Sequence, residues 1–145
     1  EETILAATVV LADAKDAPEL ESEARHYRSK ALVEANQLAH AVADWEALAK
    51  DTRNVYGAEA KYRLAQYLFD SGKTKEAEQE VLNYLEVSTP HAYWLARSFV
   101  LLSDIYAKLD RKLEARQYLL SLKQNYQADD DIAGMIESRL ENLSE

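Results

Sequence analysis

Ser71 to Thr74 read SGKT, the ending of a phosphate-binding loop in which backbone N–H groups cradle phosphates and a lysine and a hydroxyl complete the site. That chemistry needs a first glycine five positions before Gly72 and a strand leading into it. The position holds Tyr67, and the preceding YRLAQYLFD places Tyr62, Ala65 and Phe69 at helical spacing beside Leu64 and Leu68. Gly72 therefore reads as a turn residue between helices. The three histidines, His26, His40 and His91, fall on separate predicted helices, and no H-x-x-x-H or Glu-x-x-His pairing brings ligands together, so no metal site is expected. Asp129 to Asp131 lack the alternating spacing and glycine of a calcium loop and read instead as N-cap and first-turn anions of the last helix. Without a cysteine there is no thiolate nucleophile and no disulfide, and no serine sits in a G-x-S-x-G elbow. Neither a cofactor nor enzymatic activity is expected.

The elements that carry these residues are helical. Among 145 residues there are 3 Gly and 2 Pro, and the remainder is dominated by strong helix formers, so the chain reads as all-α. A net charge of −9 argues against nucleic acid or an anionic membrane as the partner of the whole surface. No apolar run reaches the roughly 18 to 20 residues that span a bilayer, so membrane insertion is not expected.

Three segments repeat one pattern. Ala41, Ala77 and Ala115 are each followed four positions later by Trp45, Val81 and Leu119 and seven later by Leu48, Tyr84 and Leu122; nine positions earlier stand Leu32, Leu68 and Tyr106. The offsets between copies are 36 and 38 residues. Five positions before each alanine come Asn36, Gly72 and Asp110, three residue types that tolerate the left-handed conformation closing a helix C-terminus. Eight helices are predicted, at about 2–15, 18–35, 38–51, 55–71, 74–87, 91–109, 112–126 and 129–143, with short connections such as Ser88-Thr89-Pro90.

This pattern resembles the tetratricopeptide repeat, a helix-turn-helix unit. Leu64, Ala65, Leu68, Gly72, Ala77 and Val81 match its consensus best; Leu102, Ser103, Tyr106, Ala115 and Leu119 take the same places in the third copy, and Arg28, Ser29, Leu32, Ala41 and Trp45 in the first. The consensus tryptophan position holds Arg25, Lys61 and Ser98, and the units are longer than usual. The extended form is similar to tetratricopeptide proteins of the bacterial cell envelope, which would imply the periplasm or envelope as the compartment. The resemblance implies antiparallel helix-turn-helix repeats stacked in a right-handed superhelix. It divides a single domain at 1–145 into the second helix of an upstream repeat (1–17), repeats at 18–53, 54–89 and 90–127, and a capping helix (128–145).

In that family the first helices of successive units line a concave groove holding a peptide or a partner protein. The groove positions here would be His26, Lys30, Val33 and Glu34, then Glu59, Tyr62, Gln66, Phe69 and Asp70, then Arg97, Val100, Asp104 and Lys108. Tyr62 and Phe69, two turns apart, would be aromatic anchors. Chaperone-docking members clamp a carboxylate at paired sites that read His26/Lys30, Tyr62/Gln66 and Val100/Asp104 here, so that activity is not expected. Tyr27, Tyr67, Tyr84, Tyr106 and Tyr118 fall on or beside the repeat stripes and read mainly as core, whereas Tyr93 and Trp94 are left open between exposure and packing. Ile4, Leu5, Val9, Val10 and Leu11 cover more than one face of the first helix. That excess implies a missing neighbour, hence further repeats upstream or self-association through this helix. A structural spacer that associates through its ends is the second reading, beside the interaction scaffold.

Overall fold

In the computed structural model, residues 2–13, 17–87 and 89–144 are described. They form eight helices and no strand: α1 (Glu2–Asp13), α2 (Pro18–Glu34), α3 (Leu38–Leu48), α4 (Val55–Asp70), α5 (Thr74–Glu86), α6 (Ala92–Lys108), α7 (Lys112–Asn125) and α8 (Ile132–Leu143). The expected end of the first helix, beyond residue 13, and Ser88 lie outside the described residues. Among the described residues no helix is long and apolar enough to cross a membrane.

The chain divides into two compact units, Glu1–Leu64 and Ala65–Glu145, with the boundary inside α4. In the first, α1 packs on α2 and α2 on α3; in the second, α6 packs on α5, α7 and α8, and α8 also packs on α7.

The three expected turn residues are the left-handed ones: φ is +60° at Asn36, +81° at Gly72 and +61° at Asp110. Around each, the same two hydrogen bonds close the preceding helix. Gln37 N–H donates to Leu32 C=O at 2.8 Å and Asn36 N–H to Val33 C=O at 3.0 Å; Lys73 donates to Leu68 at 2.9 Å and Gly72 to Phe69 at 3.1 Å; Arg111 donates to Tyr106 at 2.8 Å and Asp110 to Ala107 at 3.2 Å. This is the Schellman pattern, which satisfies the carbonyls a helix end would otherwise leave bare. Five residues on, Ala41, Ala77 and Ala115 have no accessible surface, because only a methyl group fits where the second helix returns. Trp45, Val81 and Leu119 are buried behind them, as are Leu48, Tyr84 and Leu122.

The α3–α4 connection uses a different device. Asn54 accepts the Tyr56 N–H on its side-chain oxygen at 2.8 Å and so caps α4. The next residue, Gly57, lies so close to the end of α3 that a Cβ there would stand 1.9 Å from the Asp51 carbonyl oxygen and 2.6 Å from that of Leu48.

At the other end of the chain, α8 carries the apolar stripe expected of it. Ile132 and Ile136 are buried with Ala96, Val100, Leu119 and Leu122, and Leu140 and Leu143 pack against that cluster. The acidic run before α8 is used differently from the expected plain cap. Asp130 accepts the Ile132 N–H at 2.9 Å and the Tyr126 hydroxyl at 2.5 Å, while the Asp131 side chain, at the N-cap position, bonds no helix N–H and accepts the Tyr93 hydroxyl at 2.9 Å.

Substitutions at two glycines separate conformational strain from steric conflict. Gly72→Val should destabilise the chain by at least about 1 to 2 kcal/mol, with Gly72→Asn much milder as Asn36 already shows. Gly57→Ala, whose backbone is ordinary but whose space is filled, should cost about 1 to 3 kcal/mol. Urea unfolding of the three variants beside the parent checks both.

Candidate functional site

The site is built on α2 and the first turns of α4. Pro18 fits the first turn of α2, where its missing N–H would have no helical partner, and Glu19 and Glu21 complement the helix dipole there. Two turns in, His26 and Tyr27 leave the helix side by side. Tyr56 meets them from α4, where the Asn54 cap and the close approach at Gly57 fix its backbone.

The His26 and Tyr56 rings stack with centroids 4.3 Å apart, and His26 meets Tyr27 edge-on at 5.1 Å. Tyr27 and Tyr56 are tilted at 6.5 Å. His26 and Tyr56 are half-buried, whereas Tyr27 is 46% exposed. Burial holds the His26 imidazole below its ordinary value; Lys30 and Arg63 act in the same direction, and Glu59 and Glu23 oppose them. The Tyr56 phenol is raised, first by burial and then by Tyr27, Glu23 and Glu59. Glu59 accepts from Arg63 Nε at 3.3 Å. Glu23, Lys30, Val33 and Glu34 are exposed along α2.

The other expected groove residues lie in different surroundings. Tyr62 is only 4% exposed, so its ring is a core element and not an open anchor. Phe69 is half-buried, and Gln66 donates to Asp70 at 2.8 Å one turn on. In the third copy α8 packs against Val100 and Asp104, whereas Lys108 is exposed. Asp104 accepts Arg139 Nε and Nη2 at 2.9 and 3.1 Å, and its carboxyl is raised by burial against the opposing pull of Arg139. Val100 is buried in the α8 cluster. Arg97 donates to the Tyr93 hydroxyl at 2.9 Å, lies 5.8 Å from the Trp94 ring centroid, and stands 3.9 Å from Asp131. Asp104 thus binds the chain's own last helix, and Arg97 is held by Tyr93 of its own helix and by Asp131 just before α8, contrary to their expected place on an open groove.

Tyr27 departs from its expected core role, and Tyr56, which lies off the repeat stripes, was not singled out in the sequence. The one local signal for Tyr56 was Asn54 as a helix cap immediately before it. A cleft of about 410 Å³ beside Tyr126 and Ile136 is bridged by Lys123 and Glu137, whose charged atoms are 2.7 Å apart and satisfy each other. Among the described residues no group of three or more His, Cys, Asp or Glu side chains is placed to hold a metal ion. Compared with family models, curated proteins and solved structures, the sequence matches none.

The lowered His26 sets a pH dependence with a definite sign. The fold favours the neutral ring, so the stability it contributes is full above about pH 6.5 and is lost as pH falls through the lower folded value. Stability measured by urea unfolding should therefore decline from about pH 7 to pH 5 less steeply in His26→Gln than in the parent, and the His26 ring should titrate below 6.5 by NMR. A midpoint above that value would show that Glu59 and Glu23 outweigh burial.

Proposed function

We propose that this chain is a non-enzymatic interaction scaffold of the tetratricopeptide type, its units stacking as a right-handed superhelix, and that it binds a peptide or partner protein over the α2–α4 face of the first unit. The observation that carries the reading is the open ring of Tyr27 seated against the His26 and Tyr56 pair, with exposed charges of both signs alongside. Rigid aromatic side chains held by their neighbours give contact area at little conformational expense, and such residues dominate binding energies. Lys30 and Glu34 would orient the partner and steer its approach. The bacterial envelope is the compartment we favour, on the resemblance of the extended repeats.

A second reading has its own observation. Leu5 and Val9, one turn apart on α1, are 67% and 55% exposed, an apolar strip that favours self-association. The strip is Leu5 and Val9; Ile4 and Val10, named from the sequence, are partly covered.

Affinity capture by the full chain from its native source, identification of the retained protein, and direct titration of that protein test the first reading. Tyr27→Ala with Lys30→Glu should weaken binding at least about tenfold with the fold intact by circular dichroism. Unchanged affinity in the folded double variant would remove this face as the binding site. Concentration-dependent mass in sedimentation, abolished by Leu5→Lys with Val9→Lys, would favour the second reading.

A further inference from the structure

Among the described residues, three tyrosines share one chemical arrangement. Arg63 lies 5.5 Å from the Tyr62 ring centroid and bonds Glu59 at 3.3 Å. Arg97 lies 5.9 Å from the Tyr93 centroid, with Asp131 at 3.9 Å. Arg111 lies 4.4 Å from the Tyr106 centroid, with Glu114 at 2.5 Å and Glu78 at 3.6 Å. In each, a guanidinium sits by the electron-rich ring and pairs with a carboxylate, so that cation–π attraction and ion pairing act on one planar cation.

Tyr27 has two of the three components. Glu23 precedes it by four residues on α2, the spacing that places side chains on one face. Both are exposed, and among the described residues Glu23 makes neither an ion pair nor a hydrogen bond. Among the described residues no cation lies over the Tyr27 ring, and the neighbouring arginines are committed. Arg25 bonds Glu21 and Asp44, Arg28 bonds Asp44, and Arg63 bonds Glu59. Lys30, on the far side of Tyr27 along α2, would repel an incoming cation toward the Glu23 end. The charge of Glu23 reaches the cluster, since it acts on both His26 and Tyr56.

Resting on the scaffold reading above, we propose that Tyr27 and Glu23 receive an arginine side chain from the partner segment, which completes on this open face the tyrosine–arginine–carboxylate set that the chain completes internally three times. Arginine fits better than lysine, because a planar guanidinium can lie along the ring and still present an edge of donors to Glu23. An anionic side chain would meet the negative face of the ring and the field of Glu23 together.

The test titrates three blocked amino acids, acetyl-arginine, acetyl-citrulline and acetyl-glutamate methylamides, into the isotopically labelled full chain and follows the Tyr27 and Tyr56 ring signals by NMR. The arginine compound should shift both signals saturably. Citrulline, the neutral near-isostere, should bind about fivefold more weakly, glutamate should not bind there, and Glu23→Gln should lose about threefold. Tyr27→Leu, a surface change that leaves the fold in place, should abolish the site. Equal binding of arginine and citrulline, arginine shifts confined to Asp129–Asp131, or no shift at Tyr27 would each overturn the proposal. If any of these is found while a captured partner is still lost in Tyr27→Ala with Lys30→Glu, the face remains a binding surface and only its preference for arginine falls.

Discussion

The left-handed residue that ends α2, α4 and α6 sets the rest of each helix-turn-helix unit. A helix closed by the paired bonds at Asn36, Gly72 or Asp110 reverses over very few residues, so the next helix begins at a fixed distance and angle from the last. The returning helix then approaches closely enough that the fifth residue on must be small, and Ala41, Ala77 and Ala115 are sealed completely. Two of the three turns use non-glycine residues, each bearing the strain of a positive φ, about 1 kcal/mol or more. That the same conformation occurs with Asn, Gly and Asp indicates that the packing dictates the turn, and that glycine merely adopts it with the least strain.

The first copy departs from the others in a compensated way. Where Leu64 and Leu102 stand in later copies, Arg28 stands here, and it bonds Asp44 of α3 with both Nε and Nη2. Asp44 is 1% exposed and receives Arg25 as well, at 3.4 Å. The hydrogen bond to Asp44 raises the Arg28 guanidinium still further above its ordinary value. Arg28 also donates to Thr8 of α1 at 3.2 Å, so one side chain ties three helices. A buried ion pair is weak evidence of added stability, because desolvation offsets much of its attraction, yet removing one member commonly costs about 3 to 5 kcal/mol. The pair therefore restricts which residues the first unit accepts at positions 28 and 44 more than it strengthens the unit.

The helices were legible because their signals are local and redundant: a periodic apolar stripe, a turn residue in each of three copies, and an alanine at constant offset. The candidate site was much less legible. Its side-chain environments depend on which surfaces are covered, and a repeat position alone does not report that. Tyr62 and Arg97 occupy the expected turns of their helices, but one is buried and the other is held against Tyr93 and Asp131. Asp130 and Asp131, expected in the first turn of the last helix, stand just before it, and tyrosine hydroxyls from residues 126 and 93 compete for them, a pairing no spacing rule supplies. Tyr56 became part of the site through Gly57, whose importance lies in two carbonyls of the preceding segment.

The equivalent positions His26/Lys30, Tyr62/Gln66 and Val100/Asp104 differ in how far the chain's own groups already occupy them. At the third pair Val100 is buried in the α8 cluster and Asp104 holds Arg139 through two bonds, so a newcomer would have to displace both an apolar contact and a charge-assisted fork. At the second pair Tyr62 is buried and Gln66 is bonded to Asp70. At the first pair Lys30 is exposed and the neighbouring Tyr27 ring stands open. An exposed charge is well solvated, so pairing it with a partner yields little net energy, and the aromatic surface must carry most of any affinity there. The charges around it decide instead which partner orientation is tolerated. Glu23, which has no ion pair among the described residues, on one side of Tyr27 and Lys30 on the other make the surface directional along α2, a property that neither of the internally satisfied pairs can offer.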